Sequence, residues 1–198
     1  MSRVLLIFGI ALLSLMAGAL FMAARMAPAV SENAVAATPE PAANNHPSFE
    51  LLGLDGEMHD FDEFDGRHRL LNFWATWCAP CRREIPLLKE FQAEQGDDGI
   101  LVIGIAVDIM EDVQTYAEAA EFNYPILVGE MDAMEVAEQS GLVFHAMPFT
   151  MIVTADGEYL NAHFGELHRP DLDKISDVLA RLDAGEIDTD TARKSLKL

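Results

Sequence analysis

Cationic side chains are scarce in this chain of 198 residues: 13 Lys and Arg stand against 33 Asp and Glu, for a net charge of −20. Phosphate backbones are bound by clustered Lys and Arg. The imbalance therefore argues against a nucleic-acid partner, and an anionic membrane face would repel the acidic body. Cysteine is scarcer still, with two in the whole chain. A structural zinc site takes four ligands, which one cysteine pair does not supply. Internal repeats are absent. The acidic run Asp60, Asp62, Glu63 and Asp65 before Gly66 fails the D-x-[DN]-x-[DN]-G spacing of a calcium loop and reads as a solvated turn.

Charge of either sign is missing from Val4 to Ala24, VLLIFGIALLSLMAGALFMAA. About 20 such residues suffice to cross a hydrocarbon core as a helix, whereas the apolar core of a cleavable signal is shorter, about 7–15 residues. The tidy A-x-A site, Ala34-Val35-Ala36, lies far past the run. Residues 1–25 are thus expected to be an uncleaved membrane anchor rather than a removed signal. Arg3 favours a cytoplasmic N-terminus, although Arg25 weakens that bias. Residues 26–47, rich in Ala, Pro and Asn and without apolar periodicity, read as a flexible linker spanning roughly 25–30 Å on average. The remainder is long enough for a single sizeable core: a domain over 48–184, then a polar tail over 185–198.

Within that domain, Phe49, Leu51 and Leu54 before Asp55-Gly56 suggest a strand entering a hairpin. Arg69 to Trp74 (RLLNFW) and Ile100 to Val107 (ILVIGIAV) are continuous apolar runs, as buried strands require. The spacing of Ile85, Leu88 and Phe91 predicts a helix over Ala79–Gln95 with Pro86 inside it. Further helices are expected over Asp112–Phe122, over Ala133–Gln139 and from Pro170 onward, the last with an inward stripe of Leu172, Ile175, Val178, Leu179 and Leu182. Strands are expected at Pro125–Val128, Phe149–Val153 and Glu158–Phe164, the last two joined by the turn Ala155-Asp156-Gly157. Strands alternating with helices, then a closing hairpin and helix, give an α/β fold with a mixed central sheet flanked by helices on both faces.

Both cysteines lie in Trp77-Cys78-Ala79-Pro80-Cys81, where a buried strand gives way to a helix. In an open α/β sheet this is the carboxyl end of a strand, where active sites gather. One helical turn brings the two sulfurs within bonding distance. It also sets Cys78 at the helix N-terminus, where unpaired N–H groups and the dipole stabilise a thiolate. Cys78 is the expected attacking thiol and Cys81 the resolving one. A purely structural disulfide closing so small a loop would stabilise little. A copper site using both thiolates with a histidine such as His145 is the remaining alternative. Glu84, three residues beyond Cys81, shares its side of the helix. It is either a solvated surface carboxylate or a group able to take a proton from Cys81.

The segment F-W-A-T-W-C-A-P-C-R-R-E-I-P resembles the thioredoxin superfamily, and most closely its exported, membrane-anchored reductase branch, which includes the cytochrome c maturation thioredoxins. The match runs from about Ser48 to Leu182. Trp77 and Pro86, five residues after Cys81, raise it above a lone C-x-x-C. The resemblance implies a thioredoxin-like fold with an N-terminal hairpin and a central helix–strand insertion within Ile100–Met131. It also identifies Met147-Pro148 as the cis-proline loop and gives Glu84 a part in proton transfer. Trp77, Ala79, Pro80, Met147 and Pro148 would then form the substrate groove, although Trp77 would also suit simple packing. Asn72 stands where cytoplasmic thioredoxins carry a buried acidic residue, which leaves Glu84 as the natural substitute. His145-Ala146-Met147 departs from the glycines often found before that proline in the cytochrome c members.

The expected activity is protein-disulfide reduction through the Cys78–Cys81 pair, on exported disulfide-bearing clients such as those of cytochrome c or oxidase maturation. No cofactor or metal ion is expected. The pair contains every thiol in the chain, so a membrane thiol electron donor must recharge it. The expected setting is a bacterial inner membrane, with a monomeric catalytic domain in the periplasm. The competing assignments are a disulfide-donating oxidant and a copper metallochaperone. A peroxidase of the superfamily would need Thr three residues before the reactive cysteine, and here Thr76 is two before Cys78.

Overall fold

The computed structural model describes residues 49–139, 142 and 146–197. The segments expected as anchor and linker lie outside these residues, as does His145. Among the described residues no helix is long and apolar enough to cross a membrane.

Seven strands among the described residues form a single mixed sheet in the order β2-β1-β5-β4-β3-β6-β7. They are β1 (Glu50–Gly53), β2 (Met58–Asp60), β3 (Arg69–Trp74), β4 (Leu101–Val107), β5 (Ile126–Gly129), β6 (Phe149–Val153) and β7 (Tyr159–Phe164). Among the described residues five α-helices accompany them: α1 (Ala79–Gln95), α2 (Met110–Ala120), α3 (Met131–Gln139), α4 (Arg169–Asp183) and α5 (Thr189–Ser195). This is the expected mixed α/β architecture. Central β3 runs parallel to β4 and antiparallel to β6, and every one of its residues is buried. Period-two alternation then divides its side chains. Leu70 and Trp74 join one core with α1, α2, α4 and α5, while Leu71 and Phe73 join the other with α3. Phe73 stacks on Phe149 across the β3–β6 pair, with centroids 4.3 Å apart. Such a contact fixes register, because a slip of one residue would turn both rings to the wrong face.

Trp74 is too large for its face unless a neighbour yields, and Gly104 on β4 does so. A Cβ there would lie 2.6 Å from Ile126 Cδ1 and 3.2 Å from Trp74 Nε1. The indole packs with Tyr116 and Phe122.

The structure differs from the sequence reading by one or two residues at several element ends, and by a helix in the stretch after Ala184. Helix α2 begins at Met110, before Asp112, with Ile109 as an N-cap that makes no side-chain hydrogen bond; without a capping side chain the start carries no sequence signal. The stretch read as a polar tail holds α5. Asp188 caps it by accepting from Thr191 N at 2.8 Å, and Ala192 and Leu196 are fully buried. One apolar anchor within the helix and one at its C-cap give too little periodicity to read. The acidic run around Asp62 forms a 3₁₀ turn, Phe61–Phe64, closed by a reciprocal capping box between Asp60 and Glu63.

Candidate active site

The chain leaves β3 at Trp74 and enters α1 within four residues. Cys78 is the N-cap of α1, and its sulfur accepts from Cys81 N at 3.3 Å. Pro80 sits in the first helical turn, where a missing N–H costs nothing. Cys78 and Cys81 are joined as a disulfide with Cα atoms 5.3 Å apart. Cys78 keeps 6% of its surface and Cys81 none, so the sulfur at the helix end is the one an incoming group can reach. Trp77 is 67% exposed. Ala79 is exposed and Pro80 half-buried. Across the sheet, Met147 is half-buried against both cores and precedes a cis peptide to buried Pro148. Gly165 N donates to the Pro148 carbonyl at 2.9 Å.

Glu84 is no surface residue: it is 1% exposed. One carboxylate oxygen accepts from Asn72 Nδ2 at 2.8 Å and the other from Leu167 N at 2.7 Å. Burial pushes its pKa up to about 7; these two donors pull it back, and nearby Glu166 adds to the rise. A carboxyl titrating there, one turn from Cys81, can exchange a proton near neutral pH. Asn72 Nδ2 also donates to Thr150 Oγ1 at 3.0 Å, so β3 and β6 share the hydrogen bonding of this site.

Sequence reasoning missed Asp108. At the end of β4, its Oδ2 accepts from Thr76 N at 2.9 Å and from Thr76 Oγ1 at 2.6 Å, and its Oδ1 from Ile109 N at 2.9 Å. The carboxylate ties the loop before Cys78 to the start of α2. Leu167 was missed as well; its role is played by a backbone N–H 83 residues from Glu84, and only the tertiary fold reveals that partnership. Among the described residues no cluster of three or more His, Cys, Asp or Glu is placed to hold a metal ion. His145, the histidine considered for copper, lies outside them.

Comparison with known proteins adds to this geometry. The AhpC/TSA family matches residues 42–159. The chain belongs to the AhpC/TSA family. The chain is similar to the thiol–disulfide oxidoreductase ResA of Geobacillus kaustophilus, 28% identical over 129 residues, which cover 65% of this chain and 72% of that one. The thioredoxin-like protein YneN of Bacillus subtilis is 29% identical over 136 residues, covering 67% and 76% respectively. Among solved structures, a thiol:disulfide interchange protein of the thioredoxin family from Chlorobium tepidum TLS superposes with a TM-score of 0.62 at 25% identity, over 70% of this chain and 97% of that one. This AhpC/TSA protein is a thiol–disulfide oxidoreductase of the ResA type, with its cysteine pair at bonding distance.

Proposed function

We propose that the protein is a reductase of disulfides in exported client proteins, held at a bacterial inner membrane by residues 1–25, with its catalytic domain in the periplasm. The observation that carries this reading is the asymmetry of the pair. Cys78, at the N-terminus of α1, keeps 6% of its surface, and Cys81 is sealed beneath it one turn from a buried carboxyl group. The Cys78 thiolate attacks one sulfur of a client disulfide, and the other client sulfur leaves as a thiolate and takes up a proton. Cys81 then yields its proton to Glu84, and its thiolate attacks Cys78 Sγ. The second client thiol is released, the Cys78–Cys81 bond is left behind, and two electrons have passed to the client. Trp77, Ala79, Pro80, Met147 and Pro148 form the groove in which the client chain lies. A membrane thiol donor reduces the pair again, because the chain has no further cysteine.

The deciding measurement is the reduction potential of the Cys78–Cys81 pair, with the full-length protein equilibrated in glutathione or dithiothreitol buffers. The expected value is at or below that of thioredoxin, about −270 mV. A value near that of a strong disulfide donor, about −120 mV, would reverse the assigned direction. Tight copper(I) binding by the reduced pair, without turnover of protein disulfides, would replace the reading with metal carriage.

A further inference from the structure

The Glu84 site contains a buried polar atom that its proposed chemistry does not use. Asn72 Nδ2 serves both Glu84 Oε1 and Thr150 Oγ1, while Asn72 Oδ1 is buried with no hydrogen-bond partner. The arrangement suits an ionised Glu84, because each carboxylate oxygen faces an N–H donor, from Asn72 or from Leu167. Once protonated, the carboxyl must also donate, and it then needs an acceptor. The Leu167 N–H is backbone and cannot turn into one. The Asn72 carboxamide can, since a half-turn about its last torsion exchanges Nδ2 for Oδ1.

Turned over, Oδ1 accepts from the Glu84 O–H and from the Thr150 hydroxyl, a rotor that accepts in one arrangement and donates in the other. Each arrangement leaves one end of the amide without a partner, so the amide has no preference of its own and the proton on Glu84 selects. We propose that Asn72 is a positioning residue whose carboxamide reverses as Glu84 gains and loses its proton. The reversal carries the change to Thr150, two residues beyond Pro148 in the client groove. This deepens the reading of Glu84 as proton acceptor and rests on it.

Other groups face this site without taking part in the exchange. Glu166, in the β7–α4 connection, is paired with Arg83 at 2.6 Å and raises the Glu84 pKa. Tyr124, ahead of β5, is held neutral by burial. Cys78 and Cys81 are bonded to each other in the oxidised protein. Asn72 and Leu167 supply the direct contacts.

The test is a pH titration of the oxidised full-length protein labelled with ¹⁵N and ¹³C. The Glu84 carboxyl carbon, the Asn72 side-chain amide pair and the Thr150 methyl resonance should move together with one midpoint. In Glu84→Gln the Asn72 and Thr150 signals should no longer respond to pH. In Asn72→Leu, loss of a donor to the charged form should move the Glu84 midpoint upward by about one unit, the equivalent of one charge-assisted hydrogen bond. The pH profile of client release by Cys81 should move with it. The wild-type titration decides the matter even where the leucine variant fails to fold. If Glu84 titrates while the Asn72 amide stays fixed, the reversal is overturned and the proton-acceptor reading survives. If client release shows no dependence on Glu84 ionisation, that reading fails first.

Discussion

Strand β3 has a buried charged group at its start and another packed against its second half, and the fold treats them in opposite ways. Arg69 is fully buried, yet its charge is answered three times. Asp65 lies 2.6 Å away, the Thr154 carbonyl accepts at 3.0 Å, and the Phe61 ring sits 4.4 Å from the guanidinium carbon. Glu84 is buried as deeply but meets only neutral N–H donors, and among the described residues no cation pairs with it. A buried ion with a counter-ion stays charged, whereas one without tends to neutralise. The first arrangement fixes structure at the end of the sheet away from the disulfide. The second leaves a proton available beside the cysteines.

The strongest way to break the contrast is to remove the answered charge. Arg69→Ala leaves the Thr154 carbonyl with the Gly157 N–H at 3.1 Å and empties the space against Phe61. Unfolding in urea at pH 7 should show a loss of about 3 kcal/mol, as for truncating a large buried side chain, because Asp65 is half exposed and stays solvated. The loss should be nearly the same at pH 5 and pH 8, because it comes from lost packing and hydrogen bonds rather than from a proton taken up or released. A loss below about 1 kcal/mol would make Arg69 energetically a surface ion pair, and the comparison would collapse.

Removing the unanswered charge should instead alter a slope. The Glu84 pKa is raised from 4.5 to about 7 in the fold, so between those values the native state binds the extra proton. Its stabilising effect is complete below pH 4.5 and is lost as pH rises through about 7. By linkage the loss comes to about 3 kcal/mol. Glu84→Gln should remove that decline in the oxidised protein while giving up about 1 kcal/mol for one hydrogen bond. Urea unfolding across pH 4 to 8 checks it. An undiminished slope in the variant would mean that Glu84 titrates as an ordinary carboxylate.

How much of this was legible in the sequence depended on whether the signal was local. Strands β3 and β6 and helix α1 fall at the residues expected, because continuous apolar runs and a three-residue spacing each carry their own period. The cysteine pair was readable for the same reason, since everything that makes Cys78 an N-cap lies within five residues. Glu84 was ambiguous, because its burial depends on Leu167 and Asn72, which lie on other elements. Asp108 gave no signal: an aspartate after a buried strand looks like any solvated loop residue until Thr76 is placed against it. Helix α5 was hidden by its polarity, its evidence being the two residues it buries and the bond from Asn161 Nδ2 to the Leu196 carbonyl at 2.8 Å.

The smallest expected effect comes from a third charged group, which sharpens the contrast by lying between its extremes. His59 presents Nδ1 to Glu63 at 3.0 Å and Nε2 to Asp55 at 2.9 Å. A neutral imidazole has a single N–H, so two carboxylate partners favour the doubly protonated ring. Hydrogen bonds that His59 donates to Glu63 and then to Asp55 hold its pKa above the ordinary 6.5. That stabilisation is complete below pH 6.5 and fades as pH climbs through the raised value, the same sign as for Glu84 but in a higher window. Because the carboxylates are about half exposed, solvent screening keeps the effect below that of Glu84. Glu84→Gln should therefore leave a shallow residual decline above pH 6.5, and adding His59→Asn should flatten it. A residual decline that survives the double variant would mean that His59 is neutral in the folded protein and that its slope belongs to another group.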